Sequence, residues 1–203
     1  MQKKKIILPV FVIILCLSLI IIATIGINKN KASEDAELGE VYELTTSEPE
    51  ALEIVETPVT IEQWQPMQLI IPAINLDLVC VGGGDVLDAE LLLQGPAHFQ
   101  MSDLPSTEKG NVAFAGMWKY FDKIDDLSEG DQIYLDVAEY RFIYEVVWKE
   151  VVDKFDWEGS IGSTVYPSIT LQTSYPIDYS SPAPDYKLNI RGELREVVRV
   201  PGY

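Results

Sequence analysis

The chain has 203 residues, enough for one folded domain with appended segments. Its formal net charge is −17, and all 32 acidic residues follow residue 28. This charge argues against nucleic-acid binding, because phosphate contacts need clustered Lys and Arg side chains. It suits a soluble domain and favours cationic partners.

The N-terminus carries three lysines, Lys3 to Lys5, followed by an apolar run from Ile6 to Ile27. As a helix this run is about 33 Å long, enough to cross the hydrocarbon core of a bilayer. The sequence therefore predicts a cytoplasmic tail at 1–5, a single-pass membrane anchor at 6–27 and an extracellular remainder. The alternative is a cleaved signal peptide, but the run is long for one and has no clear small-x-small cleavage site.

Residues 28–60 are polar and acidic, and they lack a sustained apolar periodicity. Like charges keep such a segment extended, so we expect a linker here, with at most a short helix near the domain. The folded domain is then predicted at 61–203.

Short strands with Gly, Pro and Asp turns fill this domain. The pattern predicts two strands within 69–74 that meet at Pro72, and then strands at 76–81, 112–115, 133–137, 141–148, 151–152, 169–173 and 187–194. Helices or turns are expected at 86–93, 121–127 and 156–163. The glycines at 82–84 predict a turn, since no phosphate-binding pattern accompanies them. The fold class is all-β, a barrel or sandwich with short helices.

The two cysteines predict no disulfide, because Cys16 lies in the membrane run and Cys80 in a strand of the domain. Neither has a CxxC or zinc-site spacing. We expect Cys80 to be a small buried residue.

Several motifs follow one another in a recognisable order. They are Ile70–Leu76 (IPAINL within this stretch), Leu93–His98 (LQGPAH), Gly110–Gly116 (GNVAFAG), the series Phe121, Leu127, Gly130, Asp131 and Ile133, then Thr170–Thr173 (TLQT) and Leu188–Ile190 (LNI). Together they resemble the sortases, membrane-anchored cysteine transpeptidases of Gram-positive bacteria. The resemblance spans 69–194 and implies a closed β-barrel.

The resemblance also implies three catalytic positions. A sortase cleaves a sorting signal such as LPxTG with a Cys thiolate, a His acts as acid or base, and an Arg stabilises the oxyanion or the substrate. An amine then resolves the thioester. The corresponding residues here are Ser174, Met117 and Lys187.

Each substitution removes part of this chemistry. The thioether of Met117 has no titratable proton. The hydroxyl of Ser174 is a poor nucleophile unless a base removes its proton. Lys187 keeps a positive charge but lacks the planar fork of Arg. A Ser–Lys dyad with Lys187 or Lys119 stays an alternative, if burial lowers the lysine pKa.

The groove beside the catalytic positions is the predicted peptide-binding surface. Its candidate residues are His98, Trp118, Tyr175, Tyr179, Tyr186 and Arg191. The lone histidine, His98, also suits a hydrogen-bonded structural role. Asp153, Asp156 and Glu158 lack the spacing of a calcium loop and predict a solvated loop, so we expect neither metal nor cofactor.

The sequence leaves three functions open. The first is a catalytically inactive binding or assembly factor, whose partner is a sorting-signal peptide, a surface protein or pilin, or an active sortase. The second is a serine-dependent peptidase or transpeptidase. The third is a structural or sensor ectodomain. A protonatable group beside Ser174 favours the enzyme, an open aromatic groove without one favours the binder, and a filled groove favours the ectodomain.

Overall fold

The computed structural model describes residues 52–82, 89–156, 158–177 and 185–201. The predicted membrane anchor and most of the linker lie outside these ranges. Within them, no helix combines the length and apolar character that a membrane span requires.

A single eight-stranded sheet makes up the described domain. Its strands lie in the order β2-β1-β5-β6-β8-β7-β4-β3, and each neighbouring pair is antiparallel except β4 and β7, which are parallel. The strands are β1 (Met67–Ile71), β2 (Leu76–Cys80), β3 (Ala97–His98), β4 (Gly110–Ala115), β5 (Gln132–Val137), β6 (Tyr140–Asp153), β7 (Pro167–Tyr175) and β8 (Tyr186–Arg199).

The helices in the described ranges are short. Two are α-helical, α1 (Ala89–Leu92) and α2 (Glu158–Ile161), and two are 3₁₀ turns, Pro72–Ile74 and Ile124–Asp126. None is long enough to form a core layer of its own, since each has only about one turn.

The two edge strands of the sheet meet at Val81. Its N–H donates to the Pro96 carbonyl at 2.8 Å, and its carbonyl accepts from the His98 N–H at 2.9 Å. These bonds bridge the end of β2 to β3. The sheet is therefore a nearly closed barrel, and the predicted all-β fold class is confirmed.

Alternate side chains along the strands fill the barrel interior. β1 alternates fully buried and half-buried residues, as expected for a strand with one face in the core. The interior is packed with large apolar side chains, including Leu69, Phe114, Leu135, Phe142, Tyr144 and Leu171. Cys80 and Leu188 also belong to this core. Burial raises the pKa of the Cys80 thiol far above its usual range.

Two predicted elements differ from the structure. Residues 72–74 form a 3₁₀ turn rather than a second strand, because Pro72 lacks the N–H that a ladder needs and fits the first turn of a helix. The strands expected separately at 141–148 and 151–152 are one strand, β6. Its pairing with β8 continues past Trp148, where the side chains no longer reach the core.

Residues 52–60, which the sequence assigns to the linker, contact the barrel. Val55 N–H donates to the Val197 carbonyl, and Arg199 N–H donates to the Glu53 carbonyl, both at 2.9 Å. The Val59 side chain is buried in the core. The apolar residues among the acids of this segment thus belong to the folded domain.

Candidate functional site

Ser174 and Lys187 face each other on β7 and β8, where they are paired across the ladder. Lys187 Nζ donates a hydrogen bond to Ser174 Oγ at 3.1 Å. Both side chains are half-buried. Two of the positions that the sequence predicts to be catalytic therefore touch directly, near the facing ends of β7 and β8.

Two further polar pairs continue along the same face of the sheet. Gln172 Nε2 donates to Asn189 Oδ1 at 3.0 Å. Arg191 Nε donates to Thr170 Oγ1 at 3.2 Å. Residues two apart on a strand share a face, so these three cross-strand pairs form one row, which we call the polar ladder. The residues between them, such as Leu171 and Leu188, point into the core.

One end of the polar ladder is covered. Arg191 is only 8% exposed, because its guanidinium donates to the Gly159 carbonyl of α2 at 2.8 Å. The guanidinium also stacks on the Trp148 ring at 4.9 Å. Arg191, predicted as a groove residue, is thus held under α2, while Ser174 and Lys187 lie at the more open end.

Asn111 of β4 ties this covered end together, although the sequence did not single it out. Its Oδ1 accepts from Thr170 Oγ1 at 2.8 Å, and its Nδ2 donates to the Gly162 carbonyl at 3.2 Å. Asn111, Gln172 and Asn189 are buried. The sequence does contain a signal for the polar ladder, because polar residues recur at every second position in two stretches. The first stretch has Thr170, Gln172 and Ser174, and the second has Lys187, Asn189 and Arg191.

Met117 lies two residues beyond the end of β4, after Gly116. Gly116 N–H donates to the Gln172 carbonyl and Thr173 Oγ1 donates to the Gly116 carbonyl, both at 2.9 Å. These two hydrogen bonds therefore hold Gly116, the residue before Met117, against the residues of β7 that precede Ser174. Met117 is half-buried, and its carbonyl accepts from Tyr120 and Phe121.

Charge at the site comes from Lys187. Burial lowers the pKa of its ammonium, and the neighbouring charge of Lys154 lowers it further. Within the described ranges, the ion pairs involve other residues, and no carboxylate oxygen lies within 4.0 Å of Lys187 Nζ. The site is thus a partly desolvated cation beside a hydroxyl, and Met117 lies in the segment that follows β4, the strand paired with β7.

A family model of the sortase domain matches residues 69–194, well over half of the chain. The chain belongs to the sortase family.

Individual sortases show the same likeness. The chain is 33% identical to Sortase D of Bacillus subtilis over 117 residues, 57% of each of the two chains. Sortase C-3 of Streptococcus pneumoniae aligns with a TM-score of 0.58 and 25% identity, covering 66% of this chain and 64% of that one. Sortase A of Corynebacterium diphtheriae gives 0.57 and 26%, covering 66% and 62%. The chain thus spans only part of these relatives.

The histidine of this sortase domain lies on β3, away from the polar ladder. Its ring stacks on Trp64 and meets Phe114 edge-on, and Nε2 lies 3.1 Å from both the Asp103 carbonyl oxygen and Ser102 Oγ. Burial lowers the pKa of His98, which Asp103 partly offsets. These contacts are those of a structural histidine.

The aromatic candidates are dispersed. Tyr186 and Trp118 are 51% and 39% exposed, whereas Tyr175 packs against the core and Tyr179 lies outside the described residues. Lys119 donates to the Leu93 carbonyl at 2.7 Å and lies over the Tyr120 ring. Of the two lysines considered as a base, Lys187 is the one that contacts Ser174.

Two of the acidic residues for which the sequence predicts a solvated loop accept hydrogen bonds from backbone N–H groups. Asp153 Oδ1 accepts from Phe155 N–H at 2.9 Å, and Asp156 Oδ1 from Gly159 N–H at 3.4 Å. The side chain of Glu158 is not described. In the part of the chain that the structure covers, no group of three potential metal ligands comes together.

Proposed function

We propose that this sortase-family protein is a membrane-anchored surface protein that binds an extended peptide without cleaving it. Residues 6–27 serve as the anchor, with residues 1–5 in the cytoplasm and the barrel outside the cell. The peptide belongs to a surface protein or pilin with a sorting signal, or to an active sortase. In this role the protein assists the attachment of proteins to the cell wall.

The observation that carries this proposal is the contrast between the frame of the site and its reacting positions. The barrel, the strand ends and the polar ladder are in place, while Met117, Ser174 and Lys187 occupy the positions of the proton carrier, nucleophile and oxyanion partner. An acyl transfer needs a proton acceptor at the nucleophile. A protonated Lys187 that donates to Ser174 Oγ does not supply one.

The open end of the ladder supports peptide binding. Ser174 and Lys187 give hydrogen-bonding groups at this end, and Tyr186, the neighbouring residue of β8 on the other side of the strand, is 51% exposed. An extended peptide uses such a mixture, since its backbone needs polar partners and its side chains need apolar contacts. We expect modest affinity, because binding must offset the ordering of a flexible peptide.

Chemical-shift mapping of the full chain in detergent micelles tests this proposal. An LPxTG-type peptide should shift the resonances of Met117, Ser174 and Lys187. The Asp136–Arg141 pair, held at 2.7 Å on the β5–β6 hairpin, provides a reference region that should not respond. If no sorting-signal peptide shifts the site, the binding function is wrong and a structural or sensor ectodomain takes its place.

A second candidate function rests on the 3.1 Å contact between Lys187 and Ser174. The lowered pKa of Lys187 increases the fraction of neutral amine, which can accept the Ser174 proton. Ser174 Oγ then attacks a peptide carbonyl to form an ester. The ammonium returns the proton to the leaving amine, and water or an amine releases the acyl group.

A fluorophosphonate probe separates the two candidates, because it labels an activated serine and changes the intact mass. The dyad predicts labelling that rises with pH and disappears in Ser174→Ala and Lys187→Met. The binding function predicts an unchanged mass from pH 6 to pH 9 in all three proteins.

A further inference from the structure

Lys187 is a half-buried cation without an anionic neighbour among the described residues. Among the described residues, the neighbouring charge that lowers its pKa is another cation, Lys154. A partly desolvated ammonium is costly unless an anion or several acceptors surround it. The chain has 32 acidic residues and 15 basic ones, yet no carboxylate of the described residues lies within 4.0 Å of Lys187 Nζ.

The nearby carboxylates of the described residues bind groups other than Lys187. Asp185 pairs with Lys154 at 2.7 Å, and Asp153 caps the Phe155 N–H at 2.9 Å. Lys187 has Ser174 Oγ as its hydrogen-bond acceptor in the described part of the chain. An ammonium has three N–H donors, so Lys187 retains donors for a ligand.

Ser174 completes the arrangement. Its Oγ accepts from Lys187, which leaves its own O–H to donate to a further oxygen. Both side chains lie at the open end of the polar ladder. A hydroxyl and an ammonium 3.1 Å apart place two donors side by side, and each can bind one of the two oxygens of a carboxylate.

We propose that Ser174 and Lys187 form a carboxylate-binding site, and that the peptide bound in the groove carries a carboxylate at this point. The carboxylate is either an Asp or Glu side chain or the C-terminus of the peptide. This inference rests on the proposed peptide-binding function and names the chemistry of its ligand.

The rest of the ladder does not compete for this carboxylate. Gln172 and Asn189 are neutral and bind each other, and both are buried. The guanidinium of Arg191 is bound to Thr170 and to the Gly159 carbonyl under α2. The preference for an anion therefore concentrates at one end of the face.

Calorimetric titration of the full chain in detergent with two matched peptide pairs tests the inference. LPDTG is compared with LPNTG, both with amidated C-termini, to test a side-chain carboxylate. LPAT with a free carboxylate is compared with its carboxamide to test a C-terminus. We expect one acidic peptide to bind about tenfold more tightly than its neutral isostere, the scale of a charge-assisted hydrogen bond.

Variants assign that preference to the site. Lys187→Met should abolish the preference, so that the acidic and the neutral peptide bind with equal affinity, while Lys187→Arg should retain the preference. Lys154→Met, which removes the neighbouring cation, should reduce the preference only slightly. A preference that survives Lys187→Met, or that Lys154→Met alone abolishes, would overturn the assignment.

The remaining outcomes separate this inference from the proposed function. If neutral peptides bind and the acidic ones gain nothing, the carboxylate site is wrong while peptide binding stands. If none of the four peptides binds, both fail. Asp178 is the first residue of the chain after the described range that ends at residue 177. If Asp178→Asn shows a preference that the unmodified chain lacks, a carboxylate of the chain itself binds Lys187 and the inference is overturned.

Discussion

At the residue scale, the side chains at the three proposed reacting positions, Met117, Ser174 and Lys187, decide what the site can do with a proton. Ser174 and Lys187 are in hydrogen-bond contact, and Met117, two residues beyond β4, carries a thioether that has no titratable proton. A hydroxyl is far less acidic than a thiol, so it depends more on a neighbouring base. The Ser174 hydroxyl and the Lys187 ammonium thus disfavour acyl transfer, but they still suit the binding of a polar ligand.

Restoring the family residues should show that they act together. We expect the triple variant Met117→His, Ser174→Cys and Lys187→Arg to cleave an LPxTG-type peptide weakly, and each single variant to remain inactive. Groups that share one reaction step have effects that do not add. Thioester trapping followed by intact-mass measurement is the assay. Activity of Ser174→Cys alone would show that a general base is already present.

His98 should make stability depend on pH. Its folded-state pKa is lowered from 6.5 because it is buried, so the unfolded chain takes up the proton first as pH falls. Its stabilising contribution is full above about 6.5 and is lost as pH falls from there towards the folded pKa. Thermal unfolding between pH 7.5 and pH 5 should show a steeper loss for the unmodified chain than for His98→Gln. Parallel curves would contradict this.

Much of the site could be predicted from the sequence, because the strand motifs fix which residues stand at each strand end. The facing positions of Ser174 and Lys187 follow from them. The burial of Arg191 could not be predicted, since it depends on the Gly159 carbonyl of α2, a contact between elements far apart in the chain. Asn111 was missed for the same reason.

At the element scale, the turn after β4 depends on a close approach of backbone and ring. A Cβ on Gly116 would overlap the Phe121 ring, which is fully buried. This is why glycine stands directly before Met117, and why the chain can turn there while still bonded to β7.

Gly116→Ala should therefore destabilise the domain by about 1–3 kcal/mol, the usual cost of overpacking a core. Chemical denaturation measures the change in the free energy of unfolding. Gly159→Ala is the matched control, because its added methyl group meets Asp156 at an ordinary 3.5 Å and its carbonyl remains for Arg191. Equal stability of the two variants would contradict the account of this turn.

The strand predictions were accurate where apolar residues alternate and failed where other forces decide. β6 continues to Asp153 although Lys149 and Glu150 interrupt its apolar pattern, because backbone pairing with β8 extends beyond the core. Lys149 uses its ammonium to bind the Asp125 and Leu127 carbonyls. Sequence periodicity reports burial, and so it does not detect a strand that is held by its ladder alone.

At the scale of the whole barrel, the first described residues contribute to stability. Residues 52–60 form backbone bonds to β8, and Val59 is buried. A fragment of residues 61–203 should have a free energy of unfolding roughly 2 kcal/mol lower than a fragment of residues 52–203, since a buried valine and several hydrogen bonds are lost. Thermal unfolding compares them. Val59→Ala in the longer fragment should lose part of this stability, and identical melting temperatures of the two fragments would place the domain boundary at residue 61.

The central claim is that the site binds a sorting-signal peptide and leaves it intact. The most direct measurement is the mass of an LPxTG-type peptide after incubation with an amine acceptor and a saturating concentration of the full chain. The same sample should first show the chemical-shift changes at Ser174 and Lys187 that report peptide binding. We expect the bound peptide to keep its mass, with no acylated protein, over a time in which an active sortase converts it. Cleavage or amine transfer that Ser174→Ala abolishes would contradict the claim and establish this chain as a serine-dependent sortase.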